Sequence, residues 1–152
     1  MRPRISVYLD TSVISALFDS RNPERMSLTE DFFRGIGNYE VFVSEITVTE
    51  IERTPDLALR ASMKKAVAEF TVLSLTGEAI RLAQGYIQHG AVPGTSADDA
   101  YHIALAVVNN VGFILSWNFK HIVRRKTRDI VTMVNTLNGY GPVEIITPAE
   151  LS

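Results

Sequence analysis

The sequence predicts an α/β fold in which helices cover both faces of a parallel sheet. Short segments rich in β-branched and aromatic residues alternate with longer segments whose apolar residues recur at helical spacing. Such alternation is typical of a parallel sheet, because a crossover connection is needed between consecutive parallel strands. No internal repeat or low-complexity segment divides the 152 residues, so we expect a single domain over residues 1–152.

The predicted strands are short and bounded by polar or turn-forming residues. In the first, Ile5, Val7 and Leu9 alternate with Ser6 and Tyr8, as expected of a strand. The five predicted strands are Ile5–Leu9, Glu40–Ser44, Thr71–Leu75, Gly112–Ser116 and Val143–Thr147.

The predicted helices lie between these strands and end at glycine, proline or turn residues. The segment Ser96–Val108 is the most apolar of them. The predicted helices are Val13–Phe18, Glu24–Ile36, Ile46–Arg53, Asp56–Phe70, Glu78–His89, Ser96–Val108, Phe119–Arg125 and Asp129–Leu137.

The composition excludes several classes of function. Hydrophobic residues make up 46% and charged residues 21% of the chain, which argues against disorder. Because there is no cysteine, disulfides, thiol catalysis and cysteine-based zinc sites are excluded. Asp10 interrupts the N-terminal apolar run too early for a signal peptide, and no stretch approaches the ~20 apolar residues of a membrane span. We expect a cytoplasmic protein with no membrane association.

Asp10 directly follows the first strand, where a helix begins. Open α/β sheets bind their ligands at the carboxyl ends of the strands, so this carboxylate is a candidate site residue. The alternative is that Asp10 only caps the following helix, since Asp is among the preferred N-cap residues.

Other oxygen-bearing side chains fall at the same edge of the predicted sheet. Glu50 shares a helix face with Ile46 after the second strand, and Asp99 opens the most apolar helix. Asp99 also fits a capping pattern that starts at Ser96, and Asn118 has the alternative role of capping the helix predicted after it. His102, three residues beyond Asp99, is expected to be a core histidine or to support the site.

Clustered carboxylates repel one another unless a cation neutralises them. Mg²⁺ or Mn²⁺ prefers such oxygen ligands, and can bind phosphates and activate water. The set Asp10, Glu50, Asp99 and Asn118 therefore predicts metal-dependent phosphodiester hydrolysis.

A basic segment between residues 120 and 128 follows Asn118 and contains no acid, although the net charge of the chain is only −2. Such a run is commonly a solvated helix face. The alternative is that it guides RNA to the acidic site, with Lys120, Arg124, Arg125 and Lys126 as the phosphate contacts.

Several stretches resemble the PIN-domain ribonucleases, especially the VapC-like toxins of bacterial toxin–antitoxin pairs. They are Tyr8–Ile14, Val43–Ile51, Asp99–Ala106, Leu115–Ile122 and Ile146–Leu151, in the order found in that family. The resemblance implies an α/β/α sandwich and a Mg²⁺- or Mn²⁺-dependent endoribonuclease. It further implies a homodimer inhibited by a cognate antitoxin protein.

Carried over by position, the family's acids are Asp10, Glu50 and Asp99, and Asn118 stands where many members have a fourth acid. Ser116 matches a Ser or Thr near the family's site, and Thr11 is expected to support it. A non-catalytic PIN-like module that binds RNA or a protein is the alternative function.

Overall fold

A computed structural model of the chain describes residues 3–151. Five parallel strands form a single sheet in the order β3-β2-β1-β4-β5. The strands are β1 (Ile5–Leu9), β2 (Tyr39–Ser44), β3 (Thr71–Leu73), β4 (Phe113–Leu115) and β5 (Glu144–Ile146). The predicted α/β sandwich with a central parallel sheet is confirmed.

Within residues 3–151, seven α-helices connect the strands or cover them. They are α1 (Thr11–Ala16), α2 (Pro23–Arg34), α3 (Glu45–Glu52), α4 (Leu57–Val67), α5 (Gly77–Gln88), α6 (Ala97–Val108) and α7 (Arg125–Leu137). None of the helices within residues 3–151 is long and apolar enough to cross a membrane.

The side chains of β1 alternate between two hydrophobic cores, one on each face of the sheet. Val7 and Leu9 belong to the core that contains buried residues of α1 to α4. Tyr8 points into the other core, which is built mainly from α5, α6 and α7. This alternation follows from the two-residue repeat of a strand, and burial of both faces explains why β1 is nearly all apolar.

The chain changes direction across the sheet between β1 and β4. From β1 it runs outward through β2 to β3, and it then returns to build β4 and β5 on the other side of β1. Leu9 pairs with Leu115 at the ends of these two neighbouring strands. The residues that follow them, Asp10 and Ser116, therefore lie at the switch point where such sheets bind ligands.

The helix predicted over Phe119–Arg125 is wrong, because α7 begins only at Arg125. The preceding residues form turns in which Ile122 and Val123 both donate a backbone hydrogen bond to the carbonyl of Asn118. Arg124 is the extended N-cap residue, with φ −153° and ψ 154°, and α7 starts at Arg125, four residues before the predicted Asp129. Buried Ile122 and Val123, three and four residues after Phe119, imitate helical spacing in a segment of turns.

Candidate active site

Asp10 lies at the N-cap position of α1, but its side chain makes no capping hydrogen bond within the described chain. Its Oδ2 atom instead accepts hydrogen bonds from the hydroxyls of Ser12, at 2.6 Å, and Ser116, at 2.8 Å. Only 4% of Asp10 is exposed. The two hydroxyls hold the carboxylate between the ends of β1 and β4. A residue that only capped α1 would instead accept from the backbone N–H groups of that helix.

The same two serines join the segment after β4 to α1. Ser12 Oγ accepts the backbone N–H of Trp117 at 2.9 Å, and Ser116 Oγ accepts that of Asn118 at 2.9 Å. Each serine thus accepts a backbone hydrogen bond and donates to Asp10. The two serine hydroxyls consequently hold the backbone of residues 116–118 beside the Asp10 carboxylate.

Glu50 reaches the same edge of the sheet from α3. The hydroxyl of Ser44 caps this helix by accepting the N–H of Ile46, while Thr47 Oγ1 accepts the N–H of Ser44. Glu50 Oε1 accepts a hydrogen bond from Thr11 Oγ1 at 2.7 Å. Thr11 directly follows Asp10, so this bond brings the Glu50 carboxylate toward the end of β1.

His102 is fully buried between Glu50 and Asp10. Its Nε2 atom is 2.6 Å from Glu50 Oε1 and 3.4 Å from Asp10 Oδ1. Its Nδ1 atom is hydrogen-bonded to the hydroxyl of Tyr8 at 2.5 Å, and that hydroxyl is 2.7 Å from Ser44 Oγ. A chain of hydrogen-bonded polar groups therefore connects the N-cap of α3 with Glu50 in the same helix. Its members are, in order, Ser44, Tyr8, His102 and Glu50.

The protonation of this chain follows from its charges. Burial alone would lower the pKa of His102, but the neighbouring Tyr8, Asp10 and Glu50 outweigh it and raise that pKa well above its ordinary value. Burial alone would raise the pKa of Glu50, but the hydrogen bond and charge of His102, with help from Thr11, lower it. Both shifts follow from the close contact between the imidazole Nε2 and the Glu50 carboxylate.

Asp99 lies in the first turn of α6, but the predicted capping bond from Ser96 is not formed in the described structure. Asp99 Oδ2 instead accepts a hydrogen bond from His121 Nδ1 at 3.0 Å. Burial and then the charge of Asp10 raise the pKa of Asp99, although His121 partly opposes them. The neighbouring Asp98 is more exposed and pairs with Arg53 at 3.8 Å.

Asn118 does not cap a helix, because the helix predicted after it is not formed, but its side chain caps the turn found there. Its Oδ1 atom accepts the backbone N–H of His121 at 2.9 Å. The same His121 donates from its ring to Asp99, so Asn118 fixes the turn that carries the partner of Asp99. Through this turn the segment after β4 is connected to the first turn of α6.

The oxygens of the site match the donors that a hard divalent cation prefers. Across residues 3–151, no group of three or more Asp, Glu or His side chains is placed to hold a metal ion as the side chains stand. In the same residues, Glu50 Oε2 and Asp99 Oδ1 make no hydrogen bond, and Asp10 Oδ1 makes only the contact with His102. Glu50 and Asp99 thus each keep one oxygen for a ligand, whereas Asp10 Oδ1 also faces His102. The donor chemistry of the three carboxylates fits Mg²⁺ or Mn²⁺.

The residues of the predicted basic segment differ in their surroundings. Arg124 donates to Thr127 Oγ1 at 2.8 Å and to the Ala91 carbonyl at 3.1 Å, so its guanidinium braces the loop before α6. Arg125 is almost fully exposed beside Asp129, at 3.7 Å. Lys120 and Lys126 are exposed. The three exposed cations follow β4 and so lie at the same end of the sheet as Asp10.

Sequence reasoning did not assign Tyr8 or His121 to the site. Tyr8 is a fully buried phenol on a central strand, and a buried hydroxyl usually needs a partner. That requirement is the signal that could have linked Tyr8 to His102. For His121 the sequence offered no comparable signal, because its partner Asp99 is 22 residues away in the chain.

The fold and this edge of carboxylates define an α/β/α protein with a candidate acidic site at the sheet's switch point. The sequence profile of the PIN domain matches residues 7–120, which is most of the chain. The chain therefore belongs to the PIN-domain family, whose members are typically nucleases and generally bind divalent metals. The matched region contains all four predicted oxygen-bearing residues but ends before α7.

Comparison with solved structures supports the same fold. VapBC2 from Rickettsia felis, solved bound to a DNA fragment from the promoter of its genes, matches with a TM-score of 0.55 at 10% identity. The match covers 76% of this chain and 90% of that chain. At this identity the likeness concerns the fold alone. No curated protein matches the sequence.

Proposed function

We propose that the chain is a divalent-metal-dependent endoribonuclease that cleaves RNA phosphodiester bonds. The observation that carries the proposal is the joining of Asp10 and Glu50 through Thr11 and His102 at the carboxyl ends of the strands. Membership of the PIN-domain family, whose members are typically nucleases, supports the same chemistry.

Asp10, Glu50 and Asp99 would hold Mg²⁺ or Mn²⁺ through Asp10 Oδ1, which has only the 3.4 Å contact with His102, and through Glu50 Oε2 and Asp99 Oδ1. When bound, such a cation supplies charge stabilisation for a phosphodiester and lowers the pKa of an attacking water. Ser12 and Ser116 keep the Asp10 carboxylate in one orientation, and Thr11 and His102 do the same for Glu50. Asn118 acts on Asp99 through the turn that presents His121.

RNA is the proposed substrate, and the exposed cations Lys120, Arg125 and Lys126 are the proposed phosphate contacts. Arg124 is a weaker candidate than its neighbours because its guanidinium is already bonded to Ala91 and Thr127. The proposed biological setting is a toxin–antitoxin pair in which the chain is a homodimer controlled by an antitoxin protein. That setting is supported by the sequence resemblance to the VapC-like toxins.

The decisive experiment is cleavage of a generic single-stranded RNA with Mg²⁺ or Mn²⁺, with an EDTA-treated sample as control. We expect cleavage only with the metal, and none by Asp99→Asn. Asp98→Asn is the matched control, because Asp98 is adjacent in α6 but pairs with Arg53 instead of His121. This variant should cleave like the parent.

The alternative function is that of a non-catalytic module. An unmodified chain that binds RNA but does not cleave it at any metal concentration would overturn the nuclease proposal in favour of that module. Equal cleavage by Asp99→Asn and the parent would remove Asp99 from the site while leaving the activity assigned.

A further inference from the structure

Phe119 is an exposed aromatic residue immediately after Asn118. Half of it, 50%, is accessible to solvent. Its ring meets the ring of Trp117 edge-on, with 6.2 Å between centroids. Trp117 itself is only 8% exposed, and its Nε1 atom donates to Thr29 Oγ1 at 2.9 Å. The exposed ring therefore rests on a buried aromatic residue that is anchored to α2.

Arg25, also on α2, completes this arrangement. Its guanidinium carbon lies 5.3 Å from the Trp117 ring centroid and 5.6 Å from that of Phe119, within the range of cation–π contacts. Thr29 Oγ1 accepts from Trp117 and donates to the Arg25 carbonyl at 2.7 Å, so Trp117 is tied to the turn of α2 that carries Arg25. We call Phe119, Trp117 and Arg25 the aromatic platform.

The aromatic platform is close to the acidic site along the chain. Ser116, whose hydroxyl binds Asp10, is three residues before Phe119, and three residues span at most about 10 Å. Lys120 follows Phe119 directly and is exposed. An exposed ring is thus flanked by two cations at the edge of a site proposed to cut a polyanion.

A braced aromatic ring beside cations has the chemistry of a single-stranded nucleic-acid subsite. Such subsites combine aromatic faces on which bases stack with positive side chains that follow the phosphates. More exposed apolar residues exist, such as Leu57 at 72% and Leu137 at 71%. These are aliphatic, so they offer no ring face for stacking.

We propose that Phe119, supported by Trp117 and Arg25, stacks one unpaired nucleobase of single-stranded RNA next to the phosphodiester held at the acidic site. This inference rests on the proposed ribonuclease function and assigns it a base subsite. The stacked base fixes which nucleotide lies beside Asp10, while Arg25 and Lys120 contact the flanking phosphates. Phe119 is thus a residue that positions the substrate.

The test uses short single-stranded RNAs in which 2-aminopurine replaces each base in turn, with EDTA present to prevent cleavage. At one position, binding should quench the 2-aminopurine fluorescence, because that base is stacked. Phe119→Leu keeps apolar bulk but removes the ring, so it should abolish the quenching and weaken binding about tenfold, as expected for one stacked base. Phe119→Trp should retain both properties.

Phe18→Leu is the matched control, since Phe18 is also exposed, at 37%, but follows α1 and makes no ring contact with another aromatic residue in the described chain. It should bind RNA like the parent. An abasic nucleotide at the quenched position should weaken binding to the parent by the same factor as Phe119→Leu. It should add no further loss to that variant.

The abasic RNA also makes a test that needs no protein variant. If the parent binds the abasic and intact RNAs equally, the stacking inference is overturned. If the parent cleaves RNA and Phe119→Leu binds it unchanged, only the base subsite fails and the ribonuclease function stands. If the parent neither binds nor cleaves RNA, the ribonuclease function and the subsite fail together.

Discussion

His102 Nε2 lies 2.6 Å from Glu50 Oε1, although the two residues are 52 positions apart in the chain. The same nitrogen is 3.4 Å from Asp10 Oδ1, so one fully buried imidazole connects two of the three predicted acids. Its other nitrogen is bound by Tyr8. The orientation of the acidic site therefore depends on a histidine that is itself enclosed by the core.

Loss of the His102 hydrogen bonds should destabilise the protein and impair cleavage. In His102→Leu, Tyr8 loses one buried partner and Glu50 loses its main donor, which should cost about 1–3 kcal/mol of unfolding free energy. Urea unfolding measures this cost. His89→Leu is the control, because His89 is exposed and, within residues 3–151, its ring bonds only to the Gly85 carbonyl. This variant should change stability by no more than about 0.5 kcal/mol. Equal midpoints for His102→Leu and the parent would contradict the structural role.

Asp99 should make the metal-free protein less stable at neutral pH. Because burial and the charge of Asp10 raise its pKa in the folded state, the folded protein binds this proton more tightly than the unfolded chain. The cost of ionising Asp99 therefore appears as pH rises through its unfolded pKa of about 3.9 and is complete above its folded pKa. With EDTA present, Asp99→Asn should raise the thermal midpoint at pH 7.

The pH dependence separates this effect from a general gain in stability. As the pH falls below the unfolded pKa, Asp99 is protonated in both states, and the advantage of Asp99→Asn should disappear. Asp98→Asn should show no comparable gain at pH 7, because Asp98 is more exposed and faces Arg53. A lower midpoint for Asp99→Asn at pH 7 would contradict the prediction.

Asn118→Asp should lower the metal concentration needed for half-maximal cleavage. Aspartate keeps the oxygen that accepts the His121 N–H and adds a negative charge near the proposed ligands, which tightens binding of a divalent cation. Titration of cleavage with Mn²⁺ measures the shift. An unchanged or higher metal requirement would show that residue 118 does not influence the cation.

Asn118→Leu should lose most activity because it releases the turn that carries His121. Loss of a capping bond also costs stability, about 1 kcal/mol. Asp56→Ala is the matched control, since Asp56 Oδ1 caps α4 by accepting from Ala58 and Leu59 away from the site. It should lose similar stability but retain cleavage. If both variants cleave like the parent, Asn118 is only a cap.

The exposed cations at the start of α7 should determine part of the salt dependence of RNA binding. Replacing Arg125 and Lys126 together with alanine should weaken binding and reduce the slope of log K against log salt by roughly 0.7 for each lost phosphate contact. Lys65→Ala is the control, because Lys65 lies near the end of α4. This helix precedes β3, the outermost strand on the side of the sheet away from β5. An unchanged slope in the double variant would indicate a merely solvated surface.

The sequence by itself determined the order of the elements and the edge at which the acids lie. The alternation of strands and helices required a parallel sheet, and a residue that follows a strand must lie at its carboxyl end. Asp10 and Ser116 could therefore be placed at the same end of the sheet from their positions alone. The helix over 119–125 could not be excluded, because the spacing of its apolar residues is the same in a helix and in the turns that form.

Only the tertiary structure decided which partner each of these side chains takes. The contacts of Glu50 with His102, of Asp99 with His121 and of Asp10 with Ser116 join residues 52, 22 and 106 positions apart. Local patterns favoured helix capping for Asp10 and Asp99, since capping depends only on nearby backbone. In the folded chain, residues 116–121 supply other donors, Ser116 for Asp10 and His121 for Asp99. Within the described residues, the two carboxylates accept from these side chains and do not cap their helices.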